Sequence, residues 1–374
     1  MSSSDSGKAS PDAVSAATGN RRGAALKALE RIMPEAMADG TVKVAVIRDF
    51  YLGDHARQFL DGCVTEGRSL GFVVDTFVTG GDEGRCRKLL EAIAGADYDG
   101  LILSFGGPDL AYTALKPLVE RGLRAVTFDA LPFKDGDPAG DIVPGLTATV
   151  QDDEKLAELS LDALTAFFEN RGGQSAPRII RVWYPGIPPQ DRRKEVFDAY
   201  VRLGKIREAA VITPPSYAFA RIGARDALRQ ALARFPPGTV EAIWAPDSEF
   251  ARGCADALEA LGRKDVKLVS IDISNGDLRL MQDHQDIWIG AAAVDPALAG
   301  AINMRLLAAK FAGEATPERF RFRARFVKTG DLRRSVNMAN ITLTVLGWGP
   351  GDEAFYYPWM TEIIETRFLP EERR

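Results

Sequence analysis

The stretch Thr41–Gly71 reads TVKVAVIRDFYLGDHARQFLDGCVTEGRSLG, and it decides the fold class. Its first part, VKVAVI at 42–47, is short, apolar and rich in β-branched residues, which predicts a buried strand. A helix is indicated farther on by apolar positions at three- to four-residue spacing, such as Phe59 and Cys63. The loop between them, RDFYLGD at 48–54, would lie at the carboxyl end of a strand, where open parallel sheets bind ligands. Its two aromatic residues would contact a ligand or pack on the helix.

The same strand–helix alternation continues along the chain in two series. The first series predicts four strands up to Phe128, and the second begins near Gln151 and runs to a helix that starts at Pro296. Regular alternation of this kind predicts parallel sheets with helices on both faces. We therefore expect an α/β fold with two doubly wound parallel-sheet lobes and a ligand cleft between them.

The domain boundaries follow from this alternation and from local composition. A Ser/Ala/Gly-rich start predicts disorder, and an aromatic, turn-rich end predicts an extension that packs over a domain surface or near the hinge. The predicted segments are a disordered tail at 1–20, a helix at 21–40, an N-terminal lobe at 41–150 plus 296–326, a C-terminal lobe at 151–295 plus 327–340, and the extension at 341–374.

Composition excludes several classes of function. The 374 residues carry a net charge of −5, so there is no basic surface of the kind that binds nucleic acid. No apolar run approaches the ~18 residues of a membrane span. Two histidines and three widely spaced cysteines favour neither a zinc site nor a cofactor, and we interpret the cysteines as small buried hydrophobes. The chain has no GxSxG or P-loop motif, so we expect a binding protein and not an enzyme.

Charged and aromatic residues follow most of the predicted strands. The positions are Arg48, Asp49, Phe50, Tyr51, Asp129, Trp183, Asp247, Asp272 and Asp295. At the shared edge of parallel strands, carboxylates and guanidinium groups would bond hydroxyls, and aromatic rings would cover the apolar faces of a sugar. Each aspartate taken alone could equally be a helix N-cap. Their convergence favours a site for a small carbohydrate-like ligand.

Seven short motifs, in the same order, resemble the ribose-binding-like type I periplasmic sugar-binding proteins of ABC transporters. The resemblance covers about Val42 to Lys328. The motifs are VIRDFY at 46–51, AVTFD at 125–129, RKEVF at 193–197, SYAFAR at 216–221, APDSEFARG at 245–253, VSID at 269–272 and AVDP at 293–296. The resemblance implies two lobes joined by a hinge that the chain crosses three times.

The resemblance also implies roles for individual residues. Phe50, Tyr51 and Phe219 would stack on the ligand. The polar contacts would be Arg48, Asp129, Arg193, Asp247, Asp272 and Asp295, with Asp49, Gln151 and Trp183 as second choices. Asp247 and Asp295 stand where the family usually has amides, so a polyol, an unusual sugar, an amino sugar and a furanosyl signalling molecule all remain open as ligands.

The resemblance further implies an extracytoplasmic, monomeric protein, with or without a lipid anchor, that hands its ligand to a membrane permease. On this view the initiating Met stands where a signal peptide was removed, whereas a cytosolic protein with a frayed end would begin in the same way. Sugar-responsive transcription regulators share the core, but they need an N-terminal helix-turn-helix of ~50–60 residues, where this chain has a polar tail and one helix. A chemoreceptor partner and a glycosidase with paired acids are two further functions that a cleft of this kind could serve.

Overall fold

The computed structural model describes residues 42–49, 53–104, 107–134, 140–170, 172, 175–348 and 354–368. The predicted tail and helix over 1–40 lie outside these residues. The described chain contains two six-stranded sheets with helices packed against both faces of each. This arrangement confirms the predicted α/β class of two largely parallel sheets.

The first sheet has the strand order β11-β5-β4-β3-β1-β2, and all of its pairings are parallel. Its strands are β1 (Lys43–Arg48), β2 (Val73–Val78), β3 (Gly100–Ser104), β4 (Arg124–Phe128), β5 (Thr147–Gln151) and β11 (Arg319–Phe322). The helices that pack on it are α1 (Gly53–Ser69), α2 (Glu83–Ala94), α3 (Pro108–Glu120) and α9 (Pro296–Phe311). Burial of both sheet faces explains why the four inner residues of β1, at 44–47, are all apolar.

The second sheet has the order β12-β10-β9-β8-β6-β7, and β12 alone is antiparallel to its neighbour. Its strands are β6 (Arg178–Val182), β7 (Arg207–Ile212), β8 (Ala242–Ala245), β9 (Lys267–Ile271), β10 (Trp288–Ala293) and β12 (Arg325–Lys328). The helices of this lobe are α4 (Asp153–Glu169), α5 (Pro188–Arg202), α6 (Ala220–Leu232), α7 (Ser248–Ala260) and α8 (Asn275–Asp283). Strands β5, β11 and β12 were not predicted from the sequence.

The chain passes between the two sheets three times. The crossings lie between Gln151 and Asp153, between Ala293 and Pro296, and between Phe322 and Arg325. Each crossing is only a few residues long, so the carboxyl ends of strands from both sheets are held close to one another.

The residues after β12 contact both lobes. Val336, Ile341 and Trp348 pack into the core of the second lobe, whereas Met360 of α10 (Pro358–Phe368) packs into the core of the first. Trp348 also donates a hydrogen bond from Nε1 to Oδ2 of Asp295, over 3.0 Å, at the second crossing. Within the described residues, none of the helices is both long and apolar enough to cross a lipid bilayer.

Candidate functional site

A small cavity lies where the carboxyl ends of the two sheets meet. It measures about 60 Å³, enough for a few water molecules in its present shape. Both lobes contribute to its wall. The lining residues are Arg48, His55, Gln151, Ile187, Pro189, Gln190, Arg193, Tyr217, Asp247, Ser248, Glu249 and Asp272. Five of these were predicted from the sequence: Arg48, Gln151, Arg193, Asp247 and Asp272.

Arg193 is the central cation of the second lobe. Its side chain is 2% exposed, and its Nε donates to Oδ1 of Asp153 over 2.8 Å. Its Nη1 donates to Oδ2 of Asp272 over 3.0 Å and to the carbonyl oxygen of Pro246 over 2.6 Å. Burial alone would lower the pKa of the guanidinium, but Asp272 and Asp153 raise it above its ordinary value. Arg193 is therefore a fixed positive charge clamped between two carboxylates.

Arg48 is the corresponding cation of the first lobe. It ends β1, is almost fully buried, and donates a hydrogen bond to the hydroxyl of Ser104. Its guanidinium lies over the rings of Phe59 and Phe128, with 5.4 and 5.9 Å to the ring centroids. Burial lowers the pKa of Arg48 to about 10, and Asp129 opposes that shift, so the side chain stays charged at neutral pH.

Asp129 acts on the cavity through Gln151. It follows β4 in the left-handed region, with φ 54°, and its carboxylate turns to the end of β5. Oδ1 accepts from the backbone N–H of Gln151 over 3.0 Å, and Oδ2 accepts from Nε2 over 3.1 Å. Gln151 lines the cavity and Asp129 does not. The carboxylate thus sets the orientation of the Gln151 amide.

We expect Asp129→Asn to change how stability depends on pH. Burial, followed by the charge of Asp153, raises the pKa of Asp129 from 3.8 to about 6. Between these values the folded state binds the proton more tightly than the unfolded state, so this group stabilises the fold as the pH falls from 7 to 4. The wild type should gain about 2 kcal/mol relative to the variant over that range. Urea unfolding at four pH values would measure this difference in stability, with the exposed Asp109→Asn as control. If the unfolding free energies of wild type and Asp129→Asn depended on pH in the same way, the raised pKa of Asp129 would be contradicted.

Asp247 serves as both a helix cap and a cavity wall. It is the N-cap of α7, where its Oδ1 accepts from the backbone N–H of Glu249 over 2.8 Å. Its Oδ2 accepts from the hydroxyl of Tyr217 over 2.8 Å. Burial and the nearby charge of Asp272 raise the pKa of Asp247 above its ordinary value. Asp247 is therefore a helix N-cap that also lines the cavity.

The structure does not bring Phe219 to the cavity. This ring is 68% exposed and ends a short 3₁₀ turn, Tyr217–Phe219. Tyr217, at the start of the turn, lines the cavity instead and packs on Tyr184 and Phe250. Successive side chains in a 3₁₀ turn point about 120° apart, so only one of the two aromatic residues can face inward.

Four other predicted residues do not line the cavity. Asp49 accepts hydrogen bonds from the hydroxyl of Thr79. Nε1 of Trp183 donates to Asp191 over 3.2 Å. Asp295 caps α9 and accepts from Trp348. Asp129 bonds Gln151, as described above. Phe50 and Tyr51 lie outside the described residues.

Several buried polar atoms around the cavity have no hydrogen-bond partner among the residues that the structure describes. They are Nε2 of His55, Oε1 of Gln151, Oε1 and Nε2 of Gln190, and Oδ1 of Asp272. Leaving a buried polar group unpaired costs about 1–3 kcal/mol, so a cluster of such atoms indicates a place where ordered water or a polar ligand can be bound. Because they include hydrogen-bond acceptors as well as a donor, a ligand with hydroxyl groups matches them.

Seven of the twelve lining residues were not predicted from the sequence, and three of these seven matter most for the chemistry of the cavity: His55, Gln190 and Tyr217. A signal existed for two of them. His55 lies in the first turn of α1, directly after the loop that was singled out. Gln190 precedes Arg193 by three residues on α5, so the two side chains share a helix face. Tyr217 had no such signal, because the choice between it and Phe219 depends on the rotation of the turn.

Comparison with known proteins identifies the fold family. Residues 44–315 match the family described as "Periplasmic binding protein domain", whereas the curated proteins offer no significant match. A sugar ABC transporter protein from Yersinia enterocolitica is 35% identical, with a TM-score of 0.80, and the match covers 89% of this chain and 98% of that one. The 5-methylthioribose transporter solute-binding protein of Thermotoga lettingae, solved with 5-methylthioribose, is 22% identical, with a TM-score of 0.77 and coverage of 89% and 99%.

A third structure, a carbohydrate transporter solute-binding protein from Agrobacterium radiobacter in complex with D-arabinose, is 15% identical, with a TM-score of 0.67. The match covers 82% of this chain and 99% of that one. At such low identity the Thermotoga and Agrobacterium structures establish a shared fold, whereas the family match and the Yersinia protein extend over most of the sequence. The chain therefore belongs to the periplasmic binding protein family, among the type I solute-binding proteins of sugar transporters.

Proposed function

We propose that this protein captures a small sugar- or polyol-like ligand between its lobes and delivers it to the permease of an ABC transporter. The observation that carries the proposal is the set of unpartnered buried polar atoms on His55, Gln151, Gln190 and Asp272. A hydroxyl group both donates and accepts, so a polyhydroxylated ligand can satisfy all of them. The solved relatives with 5-methylthioribose and D-arabinose support the same ligand chemistry.

The site is divided between the lobes in a way that suits capture by closure. The first lobe contributes Arg48 and His55, and the second contributes Arg193 and Asp272. A ligand that contacts both sets is bound more tightly in the closed arrangement, so it shifts the population toward closure. Recognition of the closed form by a permease, an extracytoplasmic location and a monomeric state complete the proposal.

A thermal-shift titration tests the binding function directly. We expect one or more of D-ribose, D-arabinose, allitol and 5-methylthioribose to raise the melting temperature, and the rise should increase with ligand concentration. At a ligand concentration of a hundred times the Kd, the one-site relation gives about 2.7 kcal/mol of additional stability. The ligand should be recovered chemically unchanged. Asp272→Asn should lose most of the shift, whereas Asp109→Asn on the exposed surface of α3 should keep it. No shift with any of the four compounds would contradict the proposal.

A further inference from the structure

Gln190 is a buried polar side chain whose amide group makes no hydrogen bond within the described part of the chain. Its side chain lies in the first turn of α5, the residue is 1% exposed, and neither amide atom has a hydrogen-bond partner within the described part of the chain. A glutamine that served only packing would be replaced without loss by an apolar side chain of the same length, because an unpaired buried amide opposes folding. Its position on the cavity wall, three residues before Arg193, offers another role.

His55, on the opposite lobe, is partly buried and has one ring nitrogen without a partner among the described residues. It lies in the first turn of α1, lines the cavity, and its buried Nε2 has no partner among the described residues. Burial, with Arg48 and Arg193 nearby, lowers the pKa of His55 to about 3, although Asp247 and Asp277 oppose the shift. The imidazole is therefore neutral at physiological pH, with one nitrogen that donates and one that accepts.

Two of the charged groups around these side chains are ion-paired within the protein, and a third, Arg48, is hydrogen-bonded to Ser104. Arg193 is bonded to Asp272 and Asp153. Glu249 is bonded to Arg252 over 3.0 Å. A phosphate group would only accept hydrogen bonds and would face Oδ1 of Asp272, whereas an ammonium group would only donate and would leave Nε2 of Gln190 unpaired. A hydroxyl group suits both.

We propose that His55 and Gln190, one from each lobe, bind hydroxyl groups of the ligand and make the site selective for uncharged sugars and polyols over their phosphorylated and amino derivatives. This inference rests on the proposed function and deepens it. The two side chains would contact the ligand from opposite lobes when the lobes close around it. Oδ1 of Asp272 would accept a further hydrogen bond from the ligand.

The test compares Gln190→Met and His55→Leu with wild type by calorimetric titration. The probes are D-ribose, D-arabinose, allitol and 5-methylthioribose, with ribose 5-phosphate and glucosamine as charged counterparts. We expect each variant to bind the preferred neutral probe at least tenfold more weakly, while the unliganded Gln190→Met protein melts at or above the wild-type temperature. Gln230→Met, on the exposed face of α6, and His284→Leu, at the end of α8, are the matched controls and should bind as the wild type does.

The outcomes separate the two proposals. Wild-type affinity in both variants, or an unliganded Gln190→Met protein that melts well below wild type, would overturn the inference and leave the binding function standing. Tighter binding of ribose 5-phosphate or glucosamine than of every neutral probe would overturn the assigned selectivity. If the wild type binds none of the six compounds, the proposed function fails and the inference fails with it.

Discussion

Arg193→Ala is expected to abolish ligand binding and to lower the free energy of unfolding by about 3–5 kcal/mol at neutral pH. The guanidinium is 2% exposed and is the bridge between Asp153 and Asp272. Without it, two buried carboxylates would face one another with only Arg192 left to compensate Asp153. Denaturant unfolding and calorimetric titration of the same preparation would measure both losses.

Three further variants make this prediction specific. Arg192 also bonds Asp153, but its side chain is 29% exposed, so Arg192→Ala should cost only about 1 kcal/mol or less. Arg193→Lys should keep the charge but lose most of the binding, because a single ammonium group cannot reproduce the bridging geometry. Adding Asp272→Asn to Arg193→Ala should restore part of the stability. Equal unfolding midpoints for Arg193→Ala and Arg192→Ala would show that the bridge does not stabilise the fold.

Gly300→Ala should be one of the most damaging small substitutions outside the cavity. Helices α1 and α9 pack so closely that a Cβ at Gly300 would lie 2.1 Å from the carbonyl oxygen of Phe59, and one at Gly62 would lie 2.0 Å from that of Ala297. Backbone atoms cannot yield as a flexible side chain can, so the helices must separate. We expect a loss of about 3 kcal/mol or more in unfolding free energy, at the upper end of what overpacking costs.

The matched control is Gly84→Ala. Gly84 lies on the exposed face of α2, where an added Cβ would meet only Oδ1 of Asp82, at 3.4 Å. Alanine is favoured over glycine in a helix by up to about 1 kcal/mol, so this variant should be as stable as wild type or more stable. Thermal and urea unfolding of the two variants should therefore shift in opposite directions. A Gly300→Ala protein as stable as Gly84→Ala would mean that α1 and α9 do not pack as closely as described.

The two sheets and the position of the cavity at their carboxyl edges were predictable because they depend on local patterns. A short β-branched run such as 42–47 favours a strand buried on both faces, and its repetition with helices favours parallel sheets. The position of Asp247 and Asp272 directly after predicted strands placed them at the carboxyl edge, and both line the cavity. Strands β5, β11 and β12 were missed because each contains polar residues and forms only by pairing with a distant segment.

The direction of each side chain was decided only by the tertiary structure. Tyr217 and Phe219 are equivalent in an aromatic motif, but the rotation of one turn sends the first into the cavity and the second into solvent. Gln190 is an ordinary helix residue until the packing of α5 buries it. Arg193 bridges Asp153 and Asp272, which are 40 and 79 positions away from it in the sequence, and no local pattern predicts such a pairing. The sequence alone determined at which edge of the sheets the cavity would lie, and three-dimensional packing determined which atoms line it.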